Sequence, residues 1–278
     1  MSTYYYRVSI TIILRCAEKK QRRQALIISW FYTCLIISWF VLALCVCTVL
    51  FFVSAPYGRH SRPGWGPSLK TRLGWLIMEA VSPVVFSLFF FVGNQSVSSV
   101  SIIFVSLWLF HYIHRAFVYP FLIQHGEKPM ALSVVGMAVA FNLVNAYING
   151  RYLNFFSGTY TKLWLNDPRF ILGILLFIGG FTINVRSDAV LRNLRKNATE
   201  EYGIPKGGMF ELVSCANYFG EVVEWFGWAA LTWSVAGLSF AVWTAANLLP
   251  RAYAHHRWYR ETFAHYPERR KAILPFVL

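Results

Sequence analysis

Phe170-Ile-Leu-Gly-Ile-Leu-Leu-Phe-Ile-Gly-Gly-Phe-Thr-Ile-Asn184-Val-Arg-Ser-Asp188, together with Ala216-Asn217-Tyr-Phe-Gly-Glu221-Val-Val-Glu224-Trp-Phe-Gly-Trp-Ala-Ala-Leu-Thr-Trp233, decides how this chain folds. Both stretches are apolar except for a few amides and acids. Asn184, Asp188, Arg192 and Arg195 fall at i, i+4, i+8 and i+11, and Asn217, Glu221 and Glu224 at i, i+4 and i+7. Each set therefore forms one stripe along a helix. A carboxylate at membrane depth costs about 2.5–3.5 kcal/mol, so such groups face cavities and mark function. Interhelical polar glue is the bland alternative. Glue rarely needs this many acids, which favours a wet, ligand-binding pocket inside a membrane protein.

Composition agrees. A hydrophobic fraction of 56% with only 14% charged residues is too apolar for a soluble chain of 278 residues. The 24 Phe, 15 Tyr and 11 Trp suit interfacial belts and pockets for flat apolar ligands. The net charge of +14 is concentrated at the N-terminus, in a few loops and in the C-terminal tail. That clustering reports membrane orientation and contact with anionic headgroups, and it is compatible with an anionic cofactor. No nucleic-acid signature accompanies it, so no nucleic-acid partner is expected. Cys16, Cys34, Cys45, Cys47 and Cys215 are odd in number and contain no C-x-x-C, so neither a disulfide framework nor a metal site is indicated. They are expected as small buried hydrophobes.

Apolar runs predict an all-α, polytopic integral membrane protein of about seven transmembrane helices enclosing a cofactor and substrate cavity. The spans are expected at about 25–53, 73–92, 102–123, 130–148, 169–185, 212–233 and 234–249. One domain results: a basic N-terminal segment (1–24), the seven-helix bundle (25–249), and a cytoplasmic C-terminal helix and tail (250–278). Pro83 in the second span should kink it and free a carbonyl. The loops at 54–72, 124–129 and 186–211 share one face with the tail and carry most of the basic residues, which places the C-terminus in the cytoplasm. The basic cluster Lys19, Lys20, Arg22 and Arg23 opposes that assignment.

Three groupings carry chemistry. The 186–211 segment, read as a loop, combines Asp188, Arg192, Arg195, Lys196 and Lys206 with Gly207 and Gly208. A phosphate-bearing cofactor and a solvated basic loop are equally good readings of it. No G-x-G-x-x-G follows a strand, so a nucleotide would be held by a non-Rossmann arrangement. Arg251, His255 and Tyr259 fall at i, i+4 and i+8, on one face of a helix at the cytoplasmic mouth or on the headgroups. Glu79 and Tyr112 are isolated polar groups in apolar spans. A carboxyl kept neutral by burial donates a hydrogen bond, as tyrosine does, and two donors aimed at one oxygen stabilise a developing enolate.

The run Asn184-Val-Arg-Ser-Asp188-Ala-Val-Leu-Arg192-Asn-Leu-Arg195-Lys196 resembles a signature of the steroid 5α-reductase family. Similar in the same way are Ile204-Pro-Lys-Gly-Gly208-Met-Phe-Glu211, Ala216-Asn217-Tyr-Phe-Gly220-Glu221-Val-Val-Glu224-Trp225 and Arg251-Ala-Tyr-Ala-His255-His256-Arg-Trp-Tyr259. Tyr266-Pro267 and Lys271-Ala-Ile-Leu-Pro275-Phe276 extend the match through the tail, and Trp75-Leu-Ile-Met78-Glu79 and His111-Tyr112-Ile-His114-Arg115-Ala-Phe-Val-Tyr119 extend it upstream. The resemblance covers about residues 70–278.

It implies a seven-helix membrane reductase that uses NADPH on a 3-oxo-Δ4 steroid, with hydride delivered to C5 and a proton to C4. On that resemblance Glu79 and Tyr112 bond the C3 carbonyl, with Met78 and Glu224 beside the substrate. Asn184, Asp188, Asn217 and Glu221 hold the nicotinamide half. Arg195, Arg251, His255 and Tyr259 meet the phosphates and adenosine, with Arg115, Tyr119 and Tyr202 nearby. Met78 departs from the Gln frequent in the family before the catalytic Glu, and Ala254 from a His ahead of the His pair. A bacterial homologue is expected, in the inner membrane, or in the endoplasmic reticulum of a eukaryote. Expected partners are a steroid-like lipid enone and membrane lipids, with no obligate protein partner. Alternatives are a reductase of another lipid or sterol double bond, a transporter or sterol binder, and a membrane methyltransferase. A transporter predicts inverted repeats, which the sequence lacks.

Overall fold

Long apolar runs leave the backbone nothing to bond but itself, and the chain answers with helices. The structure, a computed structural model, describes residues 2–53, 64–92, 97–124, 126–156, 160–197 and 203–278. Helix α1 (Ser2–Phe52) is followed by β1 (Ser68–Lys70), α2 (Thr71–Phe91), α3 (Ser99–Ile113) and the short α4 (Tyr119–Leu122). Then come β2 (Pro129–Ala131), α5 (Leu132–Arg151), α6 (Pro168–Asn197), α7 (Ala216–Thr232) and α8 (Val235–Thr262). The protein is an all-α polytopic membrane protein. Five helical stretches are long and apolar enough to cross a membrane: Arg22–Phe52, Thr71–Phe91, Ser99–Leu122, Leu132–Phe156 and Pro168–Arg195. Their outer surfaces carry exposed Trp30, Leu44, Phe91 and Leu175. A surface of that kind suits lipid rather than water.

Helix α7, with 17 residues and two glutamates, is shorter than these five, and α8 has a basic C-terminal half; both are rich in buried residues. Ser234 caps α8 by accepting from the Gly237 N–H at 2.8 Å, and Trp233, at φ 42°, makes the reversal from α7. This tight join was expected from the sequence. Several helices outrun the expected spans. Helix α1 begins at Ser2 rather than near residue 25, and α8 continues through Pro250 to Thr262. Helix α6 runs to Asn197, so Asp188, Arg192 and Arg195 stand on a helix and not in a loop. Cys45 is exposed, against the expectation of burial, whereas Cys215 is buried.

One face is stitched together by backbone pairing. Strands β1 and β2 pair antiparallel, with Leu69 opposite Met130. The tail adds the amide of Ser214 bonded to the Lys271 carbonyl at 2.8 Å and that of Lys271 to the Leu212 carbonyl at 2.9 Å. Gln124 donates to the Arg192 carbonyl at 3.0 Å. Thus the segments before α2, between α4 and β2 and at the end of α6 lie together with the C-terminal tail.

Glycine sets the closest helix contact. A Cβ on Gly180 would lie 2.3 Å from the Glu224 nitrogen, one on Gly220 2.5 Å from the Asn184 nitrogen, and one on Gly227 2.4 Å from the Phe177 nitrogen. Gly173 meets the Leu231 nitrogen at 2.4 Å in the same sense. Glycines seven apart on each of α6 and α7 let the two antiparallel backbones touch. The aromatic core, including Phe86, Trp108, Trp225, Trp228 and Phe240, packs beside this pair.

Candidate active site

Arg115 is the centre of the polar interior. Its guanidinium reaches Glu221 Oε2 at 3.4 Å, Asp188 Oδ2 at 3.8 Å and Glu79 Oε1 at 3.9 Å. Three carboxylates from α2, α6 and α7 thus converge on one fork of donors, the geometry for which arginine is suited. The aromatic faces of Trp75 and Tyr119 flank the guanidinium at 4.6 and 5.0 Å. Arg115 lies in a π-helical turn, His114–Val118, that links α3 to α4. Pro120 follows and has no N–H to give to the Ala116 carbonyl, which accounts for the widened turn. Pro83 acts similarly in α2: it withholds the bond that would close on the carbonyl of Glu79, within a helix that runs on unbroken.

The α6 and α7 stripes meet as the periodicity predicts. Asn184 donates from Nδ2 to the Asn217 carbonyl at 3.0 Å, and Asn217 donates from its own Nδ2 to Asp188 Oδ1 at 3.0 Å. Asn184 and Asp188 are buried. These bonds and the Arg115 contacts bring Asn184, Asp188, Asn217, Glu221, Arg115, Tyr119 and Glu79 into one cluster.

Tyr112 joins through a residue to which the sequence reading gave no role. Asn142 on α5 donates to the Met78 carbonyl at 2.7 Å and lies 3.5 Å from Glu79 Oε2 and 3.5 Å from the Tyr112 hydroxyl. Asn142, Asn145 and Asn149 are all buried on α5, at i, i+3 and i+7, and Asn149 accepts from Trp228 Nε1 at 2.9 Å. That spacing was the available signal. Two expected substrate residues turn elsewhere. The Met78 side chain packs with Met130 and Val135, leaving its carbonyl to Asn142. Glu224 is fully buried and bonds His111 Nδ1 through Oε1 at 2.7 Å, a pairing of α7 with α3 that the sequence reading also missed.

At the stitched face a second cluster forms. Arg251 donates from Nη2 to the Tyr218 hydroxyl at 3.1 Å, and His255 Nε2 lies 3.4 Å from the same oxygen. Tyr259, two turns beyond Arg251 on α8, is buried and stacks on Tyr266 with ring centroids 5.3 Å apart. Arg195 is exposed on the last turns of α6, and Tyr202 lies outside the described residues. Gly207 and Gly208, at φ 88° and 57°, have open space where side chains would stand. Next to them Ser214 Oγ contacts His256 Nδ1 and the Tyr266 hydroxyl, each at 2.6 Å, and Arg270 donates to the Pro205 carbonyl at 3.0 Å. Burial and the neighbouring Arg260, Lys271 and Arg270 hold the His256 imidazole below its ordinary range.

Comparison with known proteins assigns the family. The model described as 3-oxo-5-alpha-steroid 4-dehydrogenase matches residues 128–278. The chain is 43% identical over 253 residues to the steroid 5-alpha-reductase DET2 of Gossypium hirsutum, covering 89% of this chain and 97% of that one. It is 41% identical over 238 residues to the protein of the same name from Arabidopsis thaliana, covering 82% and 90%. With 3-oxo-5-alpha-steroid 4-dehydrogenase 1 of Homo sapiens it shares 42% over 224 residues, covering 80% and 85%. The chain belongs to the 3-oxo-5-alpha-steroid 4-dehydrogenase family of membrane oxidoreductases. The relatives are plant and mammalian, and the expected bacterial origin is not borne out.

Proposed function

We propose that the protein reduces the Δ4 double bond of 3-oxo-Δ4 steroids to 5α-dihydrosteroids with NADPH. The observation that carries this reading is the convergence of Glu79 and Tyr112, from different helices, on the one Asn142 amide beside the Arg115 cluster.

The donor set fits a dinucleotide. Amides and carboxylates (Asn184, Asp188, Asn217, Glu221) stand at the inner end, suited to a carboxamide, and Arg251, His255 and Arg195 stand towards the stitched face, suited to phosphates and adenosine. The open backbone at Gly207 and Gly208 lets a ligand approach closely there. When bound, NADPH supplies the hydride that adds to C5.

The chain's own residues do the rest. Glu79 in its neutral form and Tyr112 donate to the C3 carbonyl oxygen and draw electron density from the C4–C5 double bond. They stabilise the enolate that forms, and protonation at C4 completes the reduction. The apolar surround of Trp108, Trp225 and Phe240 excludes water from the reacting atoms. The basic stitched face is the cytoplasmic one on this reading, as the positive-inside rule requires.

Detergent-purified protein given NADPH and testosterone should consume NADPH and yield 5α-dihydrotestosterone, identified by mass spectrometry. Tyr112→Phe should cut turnover at least tenfold, in the range of about 10²–10³ for loss of one oxyanion donor, with NADPH affinity kept. Equal loss of both would contradict the role given to Tyr112. No NADPH consumption with any 3-oxo-Δ4 steroid would sink the reading.

A further inference from the structure

We infer that Asn142 is a positioning residue that holds Glu79 and Tyr112 as a matched pair of donors, an inference that rests on the function proposed above.

The chemistry of its neighbours fixes which way the amide points. The Met78 carbonyl, 2.7 Å away, can only accept, so Nδ2 faces it. Oδ1 then faces the Tyr112 hydroxyl at 3.5 Å, where the tyrosine must be the donor, and the second Nδ2 hydrogen is directed to Glu79 Oε2 at 3.5 Å. One amide thus uses both its hydrogens and its oxygen on three groups. The firm bond is to backbone and anchors the amide; the two long ones go to the groups proposed to react. Catalytic contacts of this length commonly tighten when substrate binds. They are also weak enough for Tyr112 to turn its hydrogen to an incoming carbonyl at little cost.

The anchor lies on the residue preceding Glu79. Asn142 therefore links the α2 backbone at the acid to α3 at the tyrosine, from a third helix, α5. Asn142 and Tyr112 are both buried, so no bulk water can replace the amide. Without it, Tyr112 keeps its contact with Ser82 and Glu79 its contact with Arg115, but the amide that meets both is lost. A misplacement of about 1 Å is enough to cost on the order of 100-fold in rate.

The test uses the full-length protein in detergent, with NADPH and testosterone. Asn142→Leu, of similar volume but with no polar atoms, should lower kcat roughly 10- to 100-fold while NADPH affinity stays within about threefold of wild type. Asn142→Asp supplies the discriminating readout. Protonated, the new carboxyl donates to the Met78 carbonyl and accepts from Tyr112 as the amide does; ionised, it loses the donor to the Met78 carbonyl and draws the Glu79 hydrogen away from the substrate oxygen. Its kcat relative to wild type should therefore rise as pH falls from about 8 to about 5.5, a window that brackets a buried carboxyl's titration. Wild-type kcat in Asn142→Leu, or a parallel fall in its NADPH affinity, overturns the inference. So does an Asp-to-wild-type ratio that is flat with pH, and that ratio decides the matter alone if the Leu variant does not fold. An inert wild-type enzyme is a different failure: it removes the proposed function and this inference with it.

Discussion

Gly180 and Gly179 are adjacent in α6 yet should respond oppositely to one added methyl. A Cβ on Gly180 would lie 2.3 Å from the Glu224 nitrogen and 2.5 Å from the Gly220 oxygen, whereas one on Gly179 meets nothing within 4 Å. An ordinary contact starts at 3.4 Å, so Gly180→Ala must part α6 from α7 by about 3.4 − 2.3 ≈ 1.1 Å. Overpacking of this kind costs about 1–3 kcal/mol. Replacing a mid-helix glycine by alanine returns about 0.5–1 kcal/mol in either variant, so comparing the two isolates the steric part. At about 2–4 °C per kcal/mol for a chain of this order of size, the apparent Tm of Gly180→Ala should fall some 2–12 °C below that of Gly179→Ala. The same parting stretches the two 3.0 Å bonds, Asn184 to Asn217 and Asn217 to Asp188, towards 4 Å. Losing both, at about 0.5–1.5 kcal/mol each, should weaken NADPH binding roughly 5- to 150-fold. Thermal melts and NADPH titrations of both variants in one detergent check this. Identical melts and affinities would refute the claim that backbone contact at the glycines sets the site.

Arg115→Met should leave three carboxylates without their shared cation and cost about 3–5 kcal/mol, seen as lost monodisperse protein and a lowered melt. Arg115→Lys should not restore it, because one ammonium cannot span acids on three helices; wild-type stability in that variant would contradict the account. At the tail, His256 is held below its ordinary value of 6.5 by burial and by Arg260, Lys271 and Arg270. The unfolded or undocked tail therefore binds the proton first, and docking should weaken as pH falls below about 6.5. Limited proteolysis between pH 8 and about 5.5 should show the tail cut faster in acid, and His256→Gln should flatten that dependence.

What could be read in the sequence was local. The α6 and α7 stripes follow from residues three and four apart sharing a helix face, and Asn184, Asp188 and Asn217 do meet across them. Hydropathy located five of the seven expected spans as helices long and apolar enough to cross a membrane, but misjudged where helices end. It reports where lipid stops, whereas backbone hydrogen bonding continues into water, as it does in α6 to Asn197 and α8 to Thr262. The Arg115 hub depends on how three helices cross, which no spacing within one helix contains. Tyr259 shows the same limit: its i+8 spacing from Arg251 is real, but the stacking of Tyr266 on it depends on where the tail folds back. Two signals were present and unused. Gly173 and Gly180 are seven apart, as are Gly220 and Gly227, and Asn142, Asn145 and Asn149 mark one face of α5. Neither pattern carries charge, yet these glycines set the helix distance and Asn142 ties donors together.

The arrangement of charge gives the proposed site its direction. Glu79, Asp188 and Glu221 are gathered in the interior around the Arg115 guanidinium, and most of the other basic residues lie on α1, at helix ends, in loops and in the tail. On the proposed reading, an anionic dinucleotide entering phosphates first would meet Asp188 and Glu221 and be repelled. Entering with its carboxamide end inward, it leaves its phosphates near Arg251 and Arg195, where attraction in a partly dry mouth is stronger than in water. On the proposed reading the pair Glu79 and Tyr112 meets a substrate that arrives from the apolar side, and α2 and α3, which carry that pair, also carry exposed Leu88, Phe91 and Ile102. Reversing the mouth charge should thus impair cofactor capture and leave steroid binding intact, a separation that follows from placing the two ligands' polar ends on different helices.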